Sequence, residues 1–158
     1  MDSQLDKRIS ILESRLEIFE LEGRYARLFD AHDGESWSAL FTEDGVYRSR
    51  DPEKTYVKGR RALENFCTNA EFEGIHLFHL PQLTVRGSSA TARIHLEYRG
   101  FWPREECAPS VDMVGYYDVA YKRVNGTWLI SERVTTTFSH RHSSAAGYAA
   151  GSGLTDPV

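Results

Sequence analysis

The spacing of apolar residues changes once along this chain, and that change limits what it can fold into. Near the start, Leu5, Ile9, Leu12, Leu16 and Phe19 recur every three or four positions, and the pattern continues through Leu21, Tyr25, Leu28 and Phe29. Such a period marks one face of an α-helix. After Gly74 the period falls to two. Ala90, Ala92, Ile94, Leu96 and Tyr98 alternate with Thr91, Arg93, His95, Glu97 and Arg99, as along a half-buried strand. Helices gathered ahead of strands predict an α+β domain and not a doubly wound sheet.

Punctuation residues divide this outline. The first helical stretch ends near Ala31 and His32, with Gly23 marking either a joint or a packing contact. Asp33 or Ser36 caps a short second helix carrying Trp37, Leu40 and Phe41. A short strand is expected over 46–50 and a third helix over 60–67. Strands follow over 75–85, 90–101, 111–124 and 127–138, with hairpin turns at Arg86-Gly87-Ser88-Ser89 and Asn125-Gly126. The strands read as an antiparallel meander. The 158 residues suit one domain, spanning 1–138. A tail over 139–158, rich in Gly, Ala and Ser, is either loose or packs on a neighbouring subunit.

Charge and composition exclude several function classes. The net charge is −4, with 19 basic residues scattered among 23 acidic ones, so no basic footprint for nucleic acid exists. No apolar run approaches the ~18 residues of a membrane span, and MDSQLDKRIS has no apolar leader segment. Cys67 and Cys107 lie far apart without C-x-x-C spacing. A cytoplasmic protein is the expectation. No Gly-rich phosphate loop joins a strand to a helix, and no G-x-S-x-G motif occurs. His76 and His79 are three apart on an expected strand, hence on opposite faces. His140 and His142 share a face but open the tail. No set of three or four ligands converges, so no metal and no other cofactor is expected.

Four polar residues remain of chemical interest. His76 begins a strand, and an inward face shared with Phe78 and Leu80 sets its imidazole in apolar surroundings. It suits a general base there, or a structural hydrogen bond. Asp30 ends the long helix as either a solvated carboxylate or a buried one with a partner. Tyr25 stands five residues earlier, about 140° around the helix. Arg133 falls on the strand face of Leu129, Ser131, Thr135 and Thr137, opposite Trp128, Ile130 and Val134. It either binds an anion or polarises a leaving group, or pairs with Glu132 or Glu97. Tyr47, Tyr98, Trp102, Tyr116 and Tyr117 add aromatic surface, most of it core and a minority pocket lining.

The order of these residues resembles a known family. Gly23-Arg24-Tyr25-Ala26-Arg27-Leu28-Phe29-Asp30, then Trp37-Ser38-Ala39-Leu40-Phe41-Thr42-Glu43-Asp44-Gly45, is similar to the opening of SnoaL-like proteins of the nuclear-transport-factor-2-like superfamily. A helix after Gly59-Arg60, a His-bearing strand near Pro81, and Tyr121-Lys122-Arg123-Val124-Asn125-Gly126-Thr127-Trp128 continue the likeness over about residues 5–138. The resemblance implies a cone: a curved antiparallel sheet wrapped around the long N-terminal helix, with an internal pocket.

Within that superfamily the chain looks most like the branch of scytalone dehydratase, bile acid 7α-dehydratase and hexachlorocyclohexane dehydrochlorinase. The branch implies a cofactor-independent dehydratase-like lyase or isomerase acting on a small hydrophobic oxygenated molecule. Its implied catalytic residues are His76, Asp30, Tyr25 and Arg133. Trp37, Tyr47, Phe78, Tyr98, Trp102 and Tyr116 are expected to line the substrate site. The chain departs from the bile acid enzyme at Tyr98, where that enzyme has an acidic residue. Other readings are a polyketide-type cyclase, a non-catalytic ligand-binding module, and the small subunit of a ring-hydroxylating dioxygenase. The implied assembly is a homodimer or homotrimer, with a small-molecule substrate as the other partner.

Overall fold

The structure is a computed structural model that describes residues 3–71, 73–101 and 110–143. Helix α1 (Ser3–Asp30) runs through Gly23 without a joint and buries Ser14, Ile18, Leu21, Glu22 and Tyr25. The stripe of Leu5, Ile9, Leu12 and Leu16, which the spacing assigns to the core, is exposed instead. Both rows have helical period. The sheet covers α1 only from Ser14 onward, along the other row.

Asp33 caps α2 (Gly34–Ser38), its Oδ1 accepting the Ser36 N–H at 3.1 Å. The Ser36 side chain, together with this backbone bond, holds the Asp33 carboxyl below its ordinary pKa. The third helix, α3 (Arg60–Thr68), buries Leu63 and Cys67 against the first two.

Seven strands form the sheet, and their pairing departs from the expected meander in two places. They are β1 (Phe41–Ser49), β2 (Tyr56–Lys58), β3 (Glu73–Phe78), β4 (Gln82–Arg86), β5 (Ser89–Phe101), β6 (Ser110–Val124) and β7 (Thr127–Ser143). Their order is β2-β1-β7-β6-β5-β3, with β4 also on β5. The first departure is β1, which runs parallel to β7 while all the other pairings are antiparallel. The result is a curved, unclosed mixed sheet. The second is the stretch read as one strand over 75–85, which breaks around Pro81 into β3 and β4. Proline cannot donate to a ladder, and Leu80 beside it is 89% exposed and not packed inward beside His76. The hairpin at Asn125-Gly126 is present, with φ of 51° and 85°.

The concave face of the sheet holds the core. Ala90, Ala92, Ile94, Leu96 and Tyr98 of β5 and Tyr117, Val119 and Tyr121 of β6 pack on Ile18, Leu21 and Tyr25 of α1. Strand β7 joins them through a bulge. Tyr121 pairs with Ile130 and Ala120 with Glu132, leaving Ser131 unmatched. Ser131 Oγ donates to the Ala120 carbonyl at 3.1 Å and secures the kink. One extra residue inverts the alternation that follows. Trp128, Ile130, Arg133 and Thr135 therefore all face inward. The last strand runs to Ser143, beyond Phe138. Trp102, the loop over 103–109 and the tail over 144–158 lie outside the described residues. No helix among the described residues is long and apolar enough to cross a membrane.

Candidate active site

The end of α1 meets the edge strand β3 through one carboxylate. Asp30 Oδ2 accepts the backbone N–H of His76 at 3.0 Å, and Asp30 Oδ1 lies 2.6 Å from His76 Nδ1. The first bond caps an N–H on the open side of an edge strand, which otherwise lacks a partner. The second fixes the imidazole. A carboxylate only accepts, so Nδ1 is the donor, and in the neutral imidazole Nε2 is the atom with the lone pair. The pair is largely shielded, with side-chain exposures of 5% for His76 and 18% for Asp30. The rings of Phe29, Tyr98 and Phe78 pack around the imidazole, with centroids 5.3, 4.6 and 5.7 Å away. Tyr98 pairs across from His76 in register. Its ring lies over Gly74, where any Cβ would collide with it.

Nε2 points at a group of buried donors. The Tyr117 hydroxyl stands 3.4 Å from it, beyond the range of a strong O–H hydrogen bond. The Tyr25 ring lies edge-on to that of Tyr117, with centroids 6.1 Å apart, and Thr135 Oγ1 donates to the Tyr47 hydroxyl at 3.1 Å. Arg133 lies beneath, fully buried, its Cζ 3.6 Å from the Tyr25 ring centroid and 4.6 Å from that of Tyr117. Its Nη2 donates to both oxygens of buried Glu22 at 2.5 Å, and Tyr121 donates to Glu22 Oε1 at 2.7 Å. Burial pulls the Arg133 pKa down. The Glu22 carboxylate and the nearby tyrosines outweigh it and leave the guanidinium above its ordinary value. Arg133 Nε and Nη1 and the indole N–H of Trp37 have no acceptor among the described residues. Trp37 packs on the same Tyr25 ring at 5.3 Å.

Residues 10–134 match the SnoaL-like domain family. The chain belongs to that family. The SnoaL-like domain is similar to an NTF2-like protein with a cystatin-like fold from Novosphingobium aromaticivorans, at 27% identity and TM-score 0.75 over 94% of this chain and 96% of that one. A scytalone dehydratase-like protein from the same organism shares 20% identity, with TM-score 0.75 over 87% and 91%. The hexachlorocyclohexane dehydrochlorinase LinA-type3 from Novosphingobium barchaimii shares 18%, with TM-score 0.75 over 98% and 100%. At these last two identities the likeness is one of fold. No curated protein sequence matches the chain.

Within this SnoaL-like domain the structure brings His76, Asp30, Tyr25, Arg133, Trp37, Tyr47, Phe78 and Tyr98 to one region. Tyr116 is a correction. It lies on the convex face, with Arg93 4.2 Å above its ring and Phe138 5.3 Å away. Strand β6 alternates regularly, so Tyr116 shares its side with Asp118 and Lys122. Tyr117 shares the core side with Val119 and Tyr121. Arg133 is a second correction. The bulge turns it to the face of Trp128 and Ile130, and it pairs with Glu22, not with Glu132 or Glu97. Glu132 pairs with Arg48 at 2.9 Å, and Glu97 faces His79 and Arg99. A groove of about 390 Å³ lined by Thr84, Thr91, Arg93 and Asp118 opens on the convex side, away from His76.

Two measurements check this electrostatic picture. Burial raises the pKa of Tyr25, Tyr117, Tyr121 and Tyr47 above the ordinary value. Folding stability from these groups is complete below pH ~10, where the unfolded phenols are still protonated, and is lost as pH climbs towards the folded values. An alkaline ultraviolet titration is expected to show these phenolates appearing with unfolding, not before it. Burial likewise pushes the Cys67 thiol up to about 12. Iodoacetamide is expected to leave the Cys67 peptide unlabelled in the folded protein and to label it after denaturation, read by mass spectrometry.

Proposed function

We propose that this SnoaL-like domain is a cofactor-independent acid–base enzyme, a dehydratase-like lyase or isomerase. Its substrate is a small hydrophobic molecule bearing oxygen. The observation that carries this reading is the two-oxygen grip of Asp30 on His76, which leaves Nε2 as a free base facing buried donors. His76 removes a proton from a carbon acidified by a neighbouring carbonyl. Asp30 stabilises the imidazolium that results. Tyr25 and Tyr117, held protonated by burial, donate to the developing enolate. Arg133 Nε and Nη1 stabilise that charge or the departing oxygen, which leaves as water after taking a proton back. A positioned base contributes about 10²- to 10⁴-fold and an oxyanion donor about 10²- to 10³-fold. An aldol-type cyclisation begins with the same proton and uses the same residues.

A second reading, a non-catalytic ligand module, is favoured by how completely Tyr25, Tyr117 and Arg133 fill the interior. One experiment separates the two. The protein is incubated in deuterated water with a panel of β-hydroxy ketones, and water loss and deuterium uptake are followed by mass spectrometry. Turnover abolished by His76→Asn supports catalysis. Ligands that bind without turnover, or turnover that persists in His76→Asn, would overturn it.

A further inference from the structure

The ion pair of Glu22 with Arg133 sits where it does little for stability. The two side chains are 3% and 0% exposed. Taking both charges out of water offsets most of their attraction, so an apolar filling of similar volume would serve the fold as well. What the pair does fix is the behaviour of Arg133. Its Nη2 is engaged by Glu22, while Nε and Nη1 have no acceptor among the described residues. The rings of Tyr25 and Phe78 lie 3.6 and 6.0 Å from the guanidinium carbon. The same two rings pack on His76, at 6.3 and 5.7 Å, so this cation belongs to the site of the base.

The formal charges of that site do not balance. Asp30 and Glu22 are negative, Arg133 is positive, and His76 is neutral while it waits for a proton. Burial holds the phenols of Tyr25, Tyr47 and Tyr117 protonated, so they add no charge. The sum is a net negative charge. With Glu22 neutral the sum would be zero, and a buried guanidinium with free donors would be a receptor for anions. We propose, on the acid–base reading of the same site, that Glu22 determines its specificity: it reserves the site for uncharged oxygen-bearing molecules and closes it to carboxylates.

An uncharged ketone acquires charge only as His76 takes its carbon-bound proton. Enolate and imidazolium then arise together, and the net charge of site and ligand does not change. A carboxylate instead enters with its charge already formed, beside Asp30 and Glu22, where water screens little of the repulsion. Arg133 is thereby a donor of fixed direction to a growing charge, not a receptor for a standing one. The pairs Arg48–Glu132 and Arg93–Asp118 have side chains 29 to 47% exposed, and solvent screens such pairs.

Acetophenone and benzoate, alike in shape and different by one charge at neutral pH, test this. Each is titrated into the full chain, and binding is read from the NMR signal of the Trp37 indole N–H. Wild type is expected to bind acetophenone more tightly than benzoate by about tenfold or more, the size of one unit charge nearby at an effective dielectric constant of ~20. Glu22→Gln keeps an oxygen for Tyr121 and removes the charge, and is expected to erase or reverse that ratio. Glu22→Leu with Arg133→Met restores the net charge of the wild type and is expected to restore its ratio, a pattern that a purely structural Glu22 would not give. Equal affinity for the two probes in wild type, or a ratio unchanged in Glu22→Gln, overturns the proposal while the ligand site stands. If Glu22→Gln does not fold, a double variant that has lost the wild-type ratio overturns it. If neither probe moves the Trp37 signal, the ligand-site reading falls and the proposal falls with it.

Discussion

Replacing His76 with asparagine is expected to lower turnover of an active panel substrate by about 10²- to 10⁴-fold and to leave ligand affinity within a few-fold. The reason lies in what Nε2 offers. With Nδ1 engaged by Asp30 at 2.6 Å, it is the ring's one basic atom, and it faces the Tyr117 hydroxyl. Asparagine keeps a polar side chain of similar reach but has no basic nitrogen. Asp30→Asn attacks the same function from behind. It leaves the base in place and removes the charge that stabilises the imidazolium, so a loss of similar order is expected, again in turnover and not in binding. Single-turnover rates and equilibrium binding, measured separately, decide the matter. A His76→Asn protein that binds and turns over like the wild type ends the acid–base reading. A protein that loses binding and turnover together points to a site held together by His76, not to a base.

The parts of this arrangement differ in how far the sequence discloses them. Asp30 and His76 stand at an element's end and an element's start, and strict alternation places His76 inward, so residue spacing and family resemblance agree. Strand β5 is equally plain, since all five of its alternating apolar residues are buried. The face of α1 is misleading. Counting apolar residues selects Leu5, Ile9, Leu12 and Leu16, because the row that meets the sheet carries polar Ser14 and Glu22. Glu22 is the residue the sequence hides best, as a glutamate on a helix reads as solvent-exposed. The signal was its position, four after Ile18 and three before Tyr25, inside the row that Tyr25 must occupy to reach a site.

Strand β7 fails for a different reason. Period-two reasoning assumes an unbroken ladder, and nothing in Ser131 or its neighbours announces a bulge. The bulge alone turns Arg133 inward. Tyr116 and Tyr117 were separable, in contrast. Asp118 and Lys122 mark the solvent side of β6, and Val119 and Tyr121 the core side. The parallel pairing of β1 with β7 joins segments far apart in the sequence, which local pattern does not encode.

Replacing Glu22 with leucine is expected to destabilise the fold by about 3–5 kcal/mol, read as the shift in urea-unfolding free energy. Leucine fits the volume, so the loss does not come from a cavity. It comes from Arg133, whose guanidinium stays charged and fully buried with its carboxylate gone, and from Tyr121, whose hydroxyl loses its acceptor. Arg133→Met strands the opposite charge, because Glu22 is itself almost fully buried, and a comparable loss is expected. The double variant is the informative one. With both charges removed, the desolvation of the pair vanishes along with its attraction, and such exchanges are often neutral or stabilising. Glu22→Leu with Arg133→Met is therefore expected to recover most of the stability, giving a coupling of several kcal/mol between the sites. It is not expected to recover turnover, since Arg133 Nε and Nη1, the donors without an acceptor, are gone with the side chain. A double variant as unstable as either single one means that the two charges do not act as a pair. One that is stable and fully active means that the fold needs Arg133 balanced and the chemistry does not need it at all.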